Sequence, residues 1–190
     1  AFMSMWMSNT AAVTVLLPVA VAVTEPIGSL GYRKMVVLSI AYAATIGGVG
    51  SAIGTPANPL AISFIERFTG REISFAEWFA FGLPMVVLFL PLMAVYLWFI
   101  SDIDVPTERF RRAAAVADEQ RREAGPLTRP QIEVLAVFAV VVSLWLTQSL
   151  HGINTGIVAL AGVVGFFVLG RLEPDDVSRI SWPTLLTFGG

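Results

Sequence analysis

Four stretches of this chain carry no Asp, Glu, Lys or Arg: residues 1–24, 35–65, 79–100 and 134–170. A helix rises ~1.5 Å per residue, so about 20 apolar residues cross a ~30 Å hydrocarbon layer. Residues 79–100 fit one span, bent at Pro84 and Pro91. Residues 134–170 are too many for one span, and His151-Gly152-Ile153-Asn154 is the natural turn. Two spans follow, over 131–150 and 155–170, with His151 as a loop residue and not a proton relay.

The other two stretches are interrupted. In residues 1–24 the polar residues sit in the middle, as Ser8-Asn9-Thr10 within Ser4-Met5-Trp6-Met7-Ser8-Asn9-Thr10. These are good N-cap types. Residues 1–7 therefore read as the end of one half-helix and 11–23 as another, with Pro18 a candidate kink. The new helix starts roughly 20 Å below the surface turn at Thr24-Glu25, near mid-membrane. The plain alternative is that these side chains only bond to neighbouring helices. Residues 35–65, as one helix, would be ~46 Å long. Gly47, Gly48, Gly50 and Gly54 weaken it, Pro56 biases Thr55 away from the helix, and Asn58-Pro59 reads as a cap with proline at the first helical position. The expectation is a half-helix over 35–46, unwound chain over 47–58 and a second half over 59–68. Close glycine packing explains Gly47 or Gly50 well. It does not explain Gly54-Thr55-Pro56-Ala57-Asn58-Pro59, where two prolines remove two donors.

Between the runs, 24–31 is a surface turn and Arg33-Lys34 marks a membrane edge. Glu66 to Glu77 holds a short charged loop, and 74–78 reads as an interfacial turn anchored by Trp78. Residues 102–129 are polar, with a solvated helix over 108–124 capped by Thr107 and ended by Gly125-Pro126. Residues 171–179 form a polar link, and Trp182 begins a further span.

Composition agrees. The chain is 56% hydrophobic and 14% charged, with mean hydropathy +0.75, against about 25% charge in soluble domains. It is a polytopic membrane protein in contact with lipid. Without cysteine there is no disulfide framework and no thiolate chemistry. A net charge of −2 without a basic block offers nothing to nucleic acid. The chain opens in one apolar run without an initiator Met and stops in another at Phe188-Gly189-Gly190, so it is expected to be part of a larger protein.

Two interrupted apolar segments in succession point to a secondary transporter, where helix ends meet substrate and ion at the midplane. Here the residues carry a resemblance. Ser4-x-x-x-Ser8-Asn9-Thr10, then Ala41-Tyr42-Ala43-Ala44-Thr45-Ile46-Gly47-Gly48 running on to Gly54-Thr55-Pro56-Ala57-Asn58, resembles the divalent anion:sodium symporter family of dicarboxylate, citrate and sulfate carriers. The likeness is strongest over residues 1–60. It implies an all-α fold: a re-entrant helical hairpin and a broken transmembrane helix, forming one repeat of an inverted-repeat transporter. It implies that Ser4, Ser8 and Asn9, with the Gly54 carbonyl, ligate sodium. It implies that Asn9, Thr10 and Thr55 face the carboxylates of a small anion. A homodimer is implied as well. The family loop usually reads Gly-Thr-Pro-Pro-Asn; Ala57 replaces the second proline and should loosen the loop.

In segments, the expectation is 1–68 as hairpin and broken helix, 69–101 as loop and span, 102–130 as a cytoplasmic polar segment, 131–170 as two spans, and 171–190 as a link and the next span. With the hairpin entering from the cytoplasm, the polar segments 25–34, 102–129 and 171–179 lie inside. They hold ten of the twelve Lys and Arg residues, leaving Arg67 and Arg71 outside. The expected location is a bacterial inner (plasma) membrane, crossed several times. The expected activity is not enzymatic: sodium-coupled symport of a divalent anion, a C4 dicarboxylate such as succinate ahead of sulfate or citrate. A proton-driven pump or antiporter is disfavoured because no Asp or Glu lies within an expected span. A non-transporting scaffold would need no matched pair of helix breaks.

Overall fold

The computed structural model describes residues 1–101, 107–180 and 182–183. The described secondary structure is entirely helical: α1 (Asn9–Thr24), α2 (Leu30–Gly48), α3 (Ala57–Thr69), α4 (Phe75–Ile100), α5 (Thr107–Ala124), α6 (Arg129–Leu146), the single turn α7 (Gln148–His151) and α8 (Thr155–Val168). Short 3-10 segments lie at Met3–Met5, Glu25–Ile27 and Pro174–Arg179. α1 with its following turn, α4 and α6 are long and apolar enough to cross a membrane, and α8 is a shorter apolar helix. The span expected from Trp182, with Phe188-Gly189-Gly190, lies almost wholly outside the described residues.

Packing divides the chain into two compact units. The first comprises Ala1–Pro59 and Ala80–Gly125. Here α1 and α2 pack side by side, joined by a tight turn in which Gly28 takes φ 63°. The Ser29 hydroxyl caps α2 by accepting from the Tyr32 N–H. α5 lies against the Glu25–Ile27 turn and α1. Gly82 of α4 approaches the helix break so closely that a Cβ there would lie 2.6 Å from the Val49 carbonyl oxygen.

The second unit comprises Leu60–Phe79 and Pro126–Gly190. α6 packs on α8, with Gly162 giving room for Val141. Phe75 stacks on Trp145 at 5.2 Å between ring centres, and the Trp145 indole N–H donates to the Thr155 carbonyl. At one end of this unit Arg171 donates twice to Glu133, at 2.7 and 2.9 Å. At the other, residues 72–77 gather beside Gln148 and Gly152.

Several expected boundaries move. The chain before Asn9 forms only one 3-10 turn, and α2 runs through Arg33-Lys34 to Gly48. The interfacial turn expected at 74–78 is instead the first turn of α4: the Ser74 N–H donates to Glu77 while the Ser74 hydroxyl accepts from the Glu77 N–H, a reciprocal cap. The span expected over 131–150 stops at Leu146, and His151 closes the short turn beyond it. His151 Nδ1 accepts from the Ile153 N–H, so Nε2 carries the hydrogen and donates to the Leu144 carbonyl. Both ring nitrogens serve the turn.

Because the neighbour of Gly82 is main chain and cannot rotate away, Gly82→Val is expected to destabilise the purified full-length protein by about 1–3 kcal/mol. Gly165→Ala, whose new Cβ would sit an ordinary 3.6 Å from Val137, is the control. Equal thermal unfolding temperatures for the two variants would contradict this packing.

Candidate functional site

Hydroxyl groups in apolar helices usually donate back to their own helix. Thr14, Thr24, Ser39, Thr45, Ser63, Thr69 and Ser143 all do so. Ser4 and Ser51 do not. The Ser4 hydroxyl, fully buried, reaches forty residues along the chain to the Ala44 carbonyl at 2.7 Å. The Ser51 hydroxyl, also fully buried, donates to the Met5 carbonyl. Among the described residues, the buried polar side chains are Ser4, Thr24, Ser51 and Asn58, and three of these four meet where the 1–8 segment touches the break after α2. A hydrophobic interior concentrates polar groups in this way only where they serve one another or a ligand.

The hairpin tip is built locally. Ser8 has extended backbone, and its hydroxyl accepts from the Ala11 N–H, capping α1. Asn9 is the first residue of α1, and its Oδ1 lies within hydrogen-bonding reach of the Ser4 hydroxyl. The Asn9 carboxamide rests on Gly48, where a Cβ would come 2.5 Å from Oδ1. Gly54 is equally enclosed: a Cβ there would lie 2.5 Å from the Gly48 carbonyl oxygen and 2.9 Å from that of Ser4. The glycines at 48 and 54 thus let main chain and amide oxygens converge. Gly50 is a packing glycine, against Met5 and Val86.

Of the residues expected at the site, Ser4, Asn9 and Gly54 come together. Ser8 is exposed and engaged as a cap. Thr10 is exposed in the first turn of α1 and Thr55 is half-buried in the break. Among the described residues neither threonine hydroxyl has a hydrogen-bond partner, although the Thr55 carbonyl accepts from the Asn58 N–H. Asn58 corrects the sequence reading. The helix begins at Ala57, not Pro59, and Asn58 is not its cap. Its amide points back and donates at 2.7 Å to both the Gly48 and Ser51 carbonyls. The loosening expected from Ala57 is countered by this double tie. Ser51, Asn58 and Gly48 were not expected as site components. Their signal was present, since polar residues recur through the unwound stretch, but only the fold reveals which of them turn inward.

The electrostatics divide into two parts. The C-terminal end of α2 carries a partial negative charge, while α1 and α3 begin here with partial positive charge, the Ala11 and Ala12 N–H groups being held by Ser8 and that of Asn58 by the Thr55 carbonyl. Ser4 has one hydrogen and two acceptors within reach, Asn9 Oδ1 and the Ala44 carbonyl. The cluster is therefore rich in neutral acceptor oxygen. Turning the Asn9 amide over would give each group a partner, and neutral oxygens so arranged are also of the type that can ligate a hard, singly charged cation.

The family model described as the sodium:sulfate symporter transmembrane region matches residues 32–190. The chain belongs to the sodium:sulfate symporter family. Membership agrees with the broken helix and the apolar spans, and makes this a multi-pass integral membrane protein of the divalent anion:sodium symporter type. An uncharacterized transporter of Methanocaldococcus jannaschii is 30% identical over 196 aligned residues, which cover all of this chain and 41% of that protein. The sodium-dependent dicarboxylate transporter SdcS is 29% identical in Staphylococcus saprophyticus and 28% in Staphylococcus aureus, each alignment covering all of this chain and 42% of the relative. The chain thus spans about two-fifths of the length of these relatives.

The close approach at Gly48 gives a test of whether this cluster takes part in transport by the full-length protein. Gly48→Ala is expected to displace the Asn9 amide and cut transport by the full-length protein at least about tenfold, the loss of roughly one good hydrogen bond to an ion or substrate. Gly165→Ala should leave transport unchanged. Uptake by Gly48→Ala within twofold of wild type, at equal membrane abundance, would separate Asn9 from the transport site.

Proposed function

We propose that the whole protein is a sodium-coupled symporter for a small divalent anion, and that its substrate is a C4 dicarboxylate such as succinate. The observation that carries this reading is the meeting of Ser4, Asn9 and the Gly54 main chain in one acceptor-rich cluster beside two helix starts. In this reading sodium is cargo, held by the Ser4 and Asn9 side chains with Ser8 and the Gly54 carbonyl at the hairpin tip. Asn9, Thr10 and Thr55 receive the carboxylates, which lose water on entry and need donors in its place. The names of the staphylococcal relatives favour a dicarboxylate. The family description favours sulfate as the second reading.

Coupling has a direct physical source in this arrangement. A cation bound among the α2 carbonyls lies beside the helix starts that would hold the anion. Each charge then lowers the cost of placing the other in a low-dielectric site. Ligand occupancy also ties the 1–8 segment to the break, so loaded and empty forms differ in how firmly these elements are joined. We further propose that the ends carrying Arg111, Arg122 and Arg171 face the cytoplasm and that Arg71 faces outward, following the excess of basic residues.

Two measurements test this. Full-length protein in proteoliposomes should take up labelled succinate under an inward sodium gradient, and Asn9→Ala should abolish that uptake while still inserting. Succinate uptake unaffected by sodium, or wild-type uptake by Asn9→Ala, would remove the proposal; uptake of sulfate but not succinate would select the second reading. For the anion side, Thr55→Val should raise the apparent substrate constant roughly 10- to 100-fold, since a hydrogen bond to a charged group is worth ~1.5–3 kcal/mol. Thr55→Ser should stay near wild type. Equal weakening by valine and serine would make Thr55 a packing residue.

A further inference from the structure

We infer that Asn58 and Ser51 are positioning residues that set the sodium affinity of the site; the inference rests on the transport reading above. Neither is among the residues expected to touch ion or substrate. Their importance comes from what the helix break leaves behind. Where α2 stops, its last carbonyls lose the amide donors that a continuing helix would supply. In hydrocarbon no water replaces those donors.

The Ile46 and Gly47 carbonyls are met by the Val49 and Gly50 N–H groups; Asn58 supplies the donor at Gly48 and a second donor at Ser51, whose carbonyl also accepts from the Gly54 N–H. Asn58 is only 6% exposed, and its amide donates at 2.7 Å to the Gly48 carbonyl and at 2.7 Å to the Ser51 carbonyl. The Ser51 hydroxyl then donates to the Met5 carbonyl. A continuous buried chain of hydrogen bonds thus runs from the start of α3, through the break, to the hairpin segment. Ser4, the neighbour of Met5 and a proposed sodium ligand, is held at the end of that chain. The Gly48 carbonyl that Asn58 fixes is the one packed against Gly54, whose own carbonyl is the other proposed ligand from this loop. Asn58 therefore orients both partners of the ion site without entering it. It also leaves the threonine hydroxyls of the anion side untouched.

This arrangement predicts an uneven effect on transport. Losing the donors should let the ion ligands drift apart, so more sodium is needed to populate the site. Once sodium is saturating, the anion should meet nearly the same donors. In full-length protein in proteoliposomes, Asn58→Leu, which keeps the bulk and removes the donors, is expected to raise the half-saturating sodium concentration about tenfold. Ser51→Ala should raise it about threefold or more, in line with one lost neutral hydrogen bond. In both variants the substrate KM at saturating sodium should stay within about twofold of wild type, the scatter of a group not touching substrate. If Asn58→Leu fails to reach the membrane, Ser51→Ala decides alone. Sodium-dependent uptake whose half-saturating sodium is unchanged, with only a lower maximal rate, would mean that these residues merely stabilise the fold, and would overturn this inference alone. Uptake by the unaltered protein that ignores sodium would remove the transport reading and this inference with it.

Discussion

The constraint on which the structure depends is that backbone N–H and C=O groups inside a hydrocarbon layer must find partners within the protein. An unbroken helix meets it automatically. This chain breaks helical structure around Ser8 and again after Gly48, and must then satisfy each exposed group separately. Ser8 caps one end, Asn58 takes the carbonyls of another, and Ser51 joins the two regions. The glycines at 48, 54 and 82 are the steric counterpart: each lies where a methyl group would meet an oxygen of the cluster or of the break. Polar satisfaction and close packing are here the same feature seen in two ways.

In the proposed reading, the same groups that resolve the backbone problem also make a place for charge. Oxygens gather at the end of α2, and N–H groups begin α1 and α3 nearby. A site made of neutral groups can bind a monovalent cation and release it, because no carboxylate must be protonated or unpaired on departure. It can also receive an anion at helix starts without a buried lysine or arginine. In the proposed reading, the charge-free runs 35–65 and 79–100 therefore need no acidic or basic residue of their own for the protein to handle charged cargo. The exposed apolar faces of α4, including Phe81, Leu88, Leu92 and Phe99, belong to the other requirement, contact with hydrocarbon or with further membrane helices.

Much of this was legible in the sequence. Charge-free runs located the spans, Ser8 announced a helix start, and the glycine–proline stretch announced the break to within a residue or two of α2 and α3. The two-part motif supported the family before any fold was considered. What failed to show was direction. Asn58-Pro59 has the form of a cap, yet the helix begins one residue earlier and the Asn58 amide nitrogen turns inward to the Gly48 and Ser51 carbonyls. Residues 74–78 read as an interfacial turn on the strength of Trp78; the reciprocal bond between Ser74 and Glu77 makes the pair a helix cap. The polarity of Ser51 within the unwound stretch is visible in the sequence, but its role is not, since that depends on a carbonyl forty-six positions away.

The central claim is that the hairpin tip and the helix break together form a sodium site. Its most direct test is ion binding without substrate. The full-length protein lacks a cysteine in the stretch described here, so one can be placed at Met7, exposed at the hairpin tip, and its modification by a thiol reagent followed as sodium is added. The account predicts that sodium slows modification with a saturable dependence, that potassium does not, and that Ser4→Ala removes the effect. Equal slowing by potassium, or undiminished sodium protection in Ser4→Ala, would contradict it.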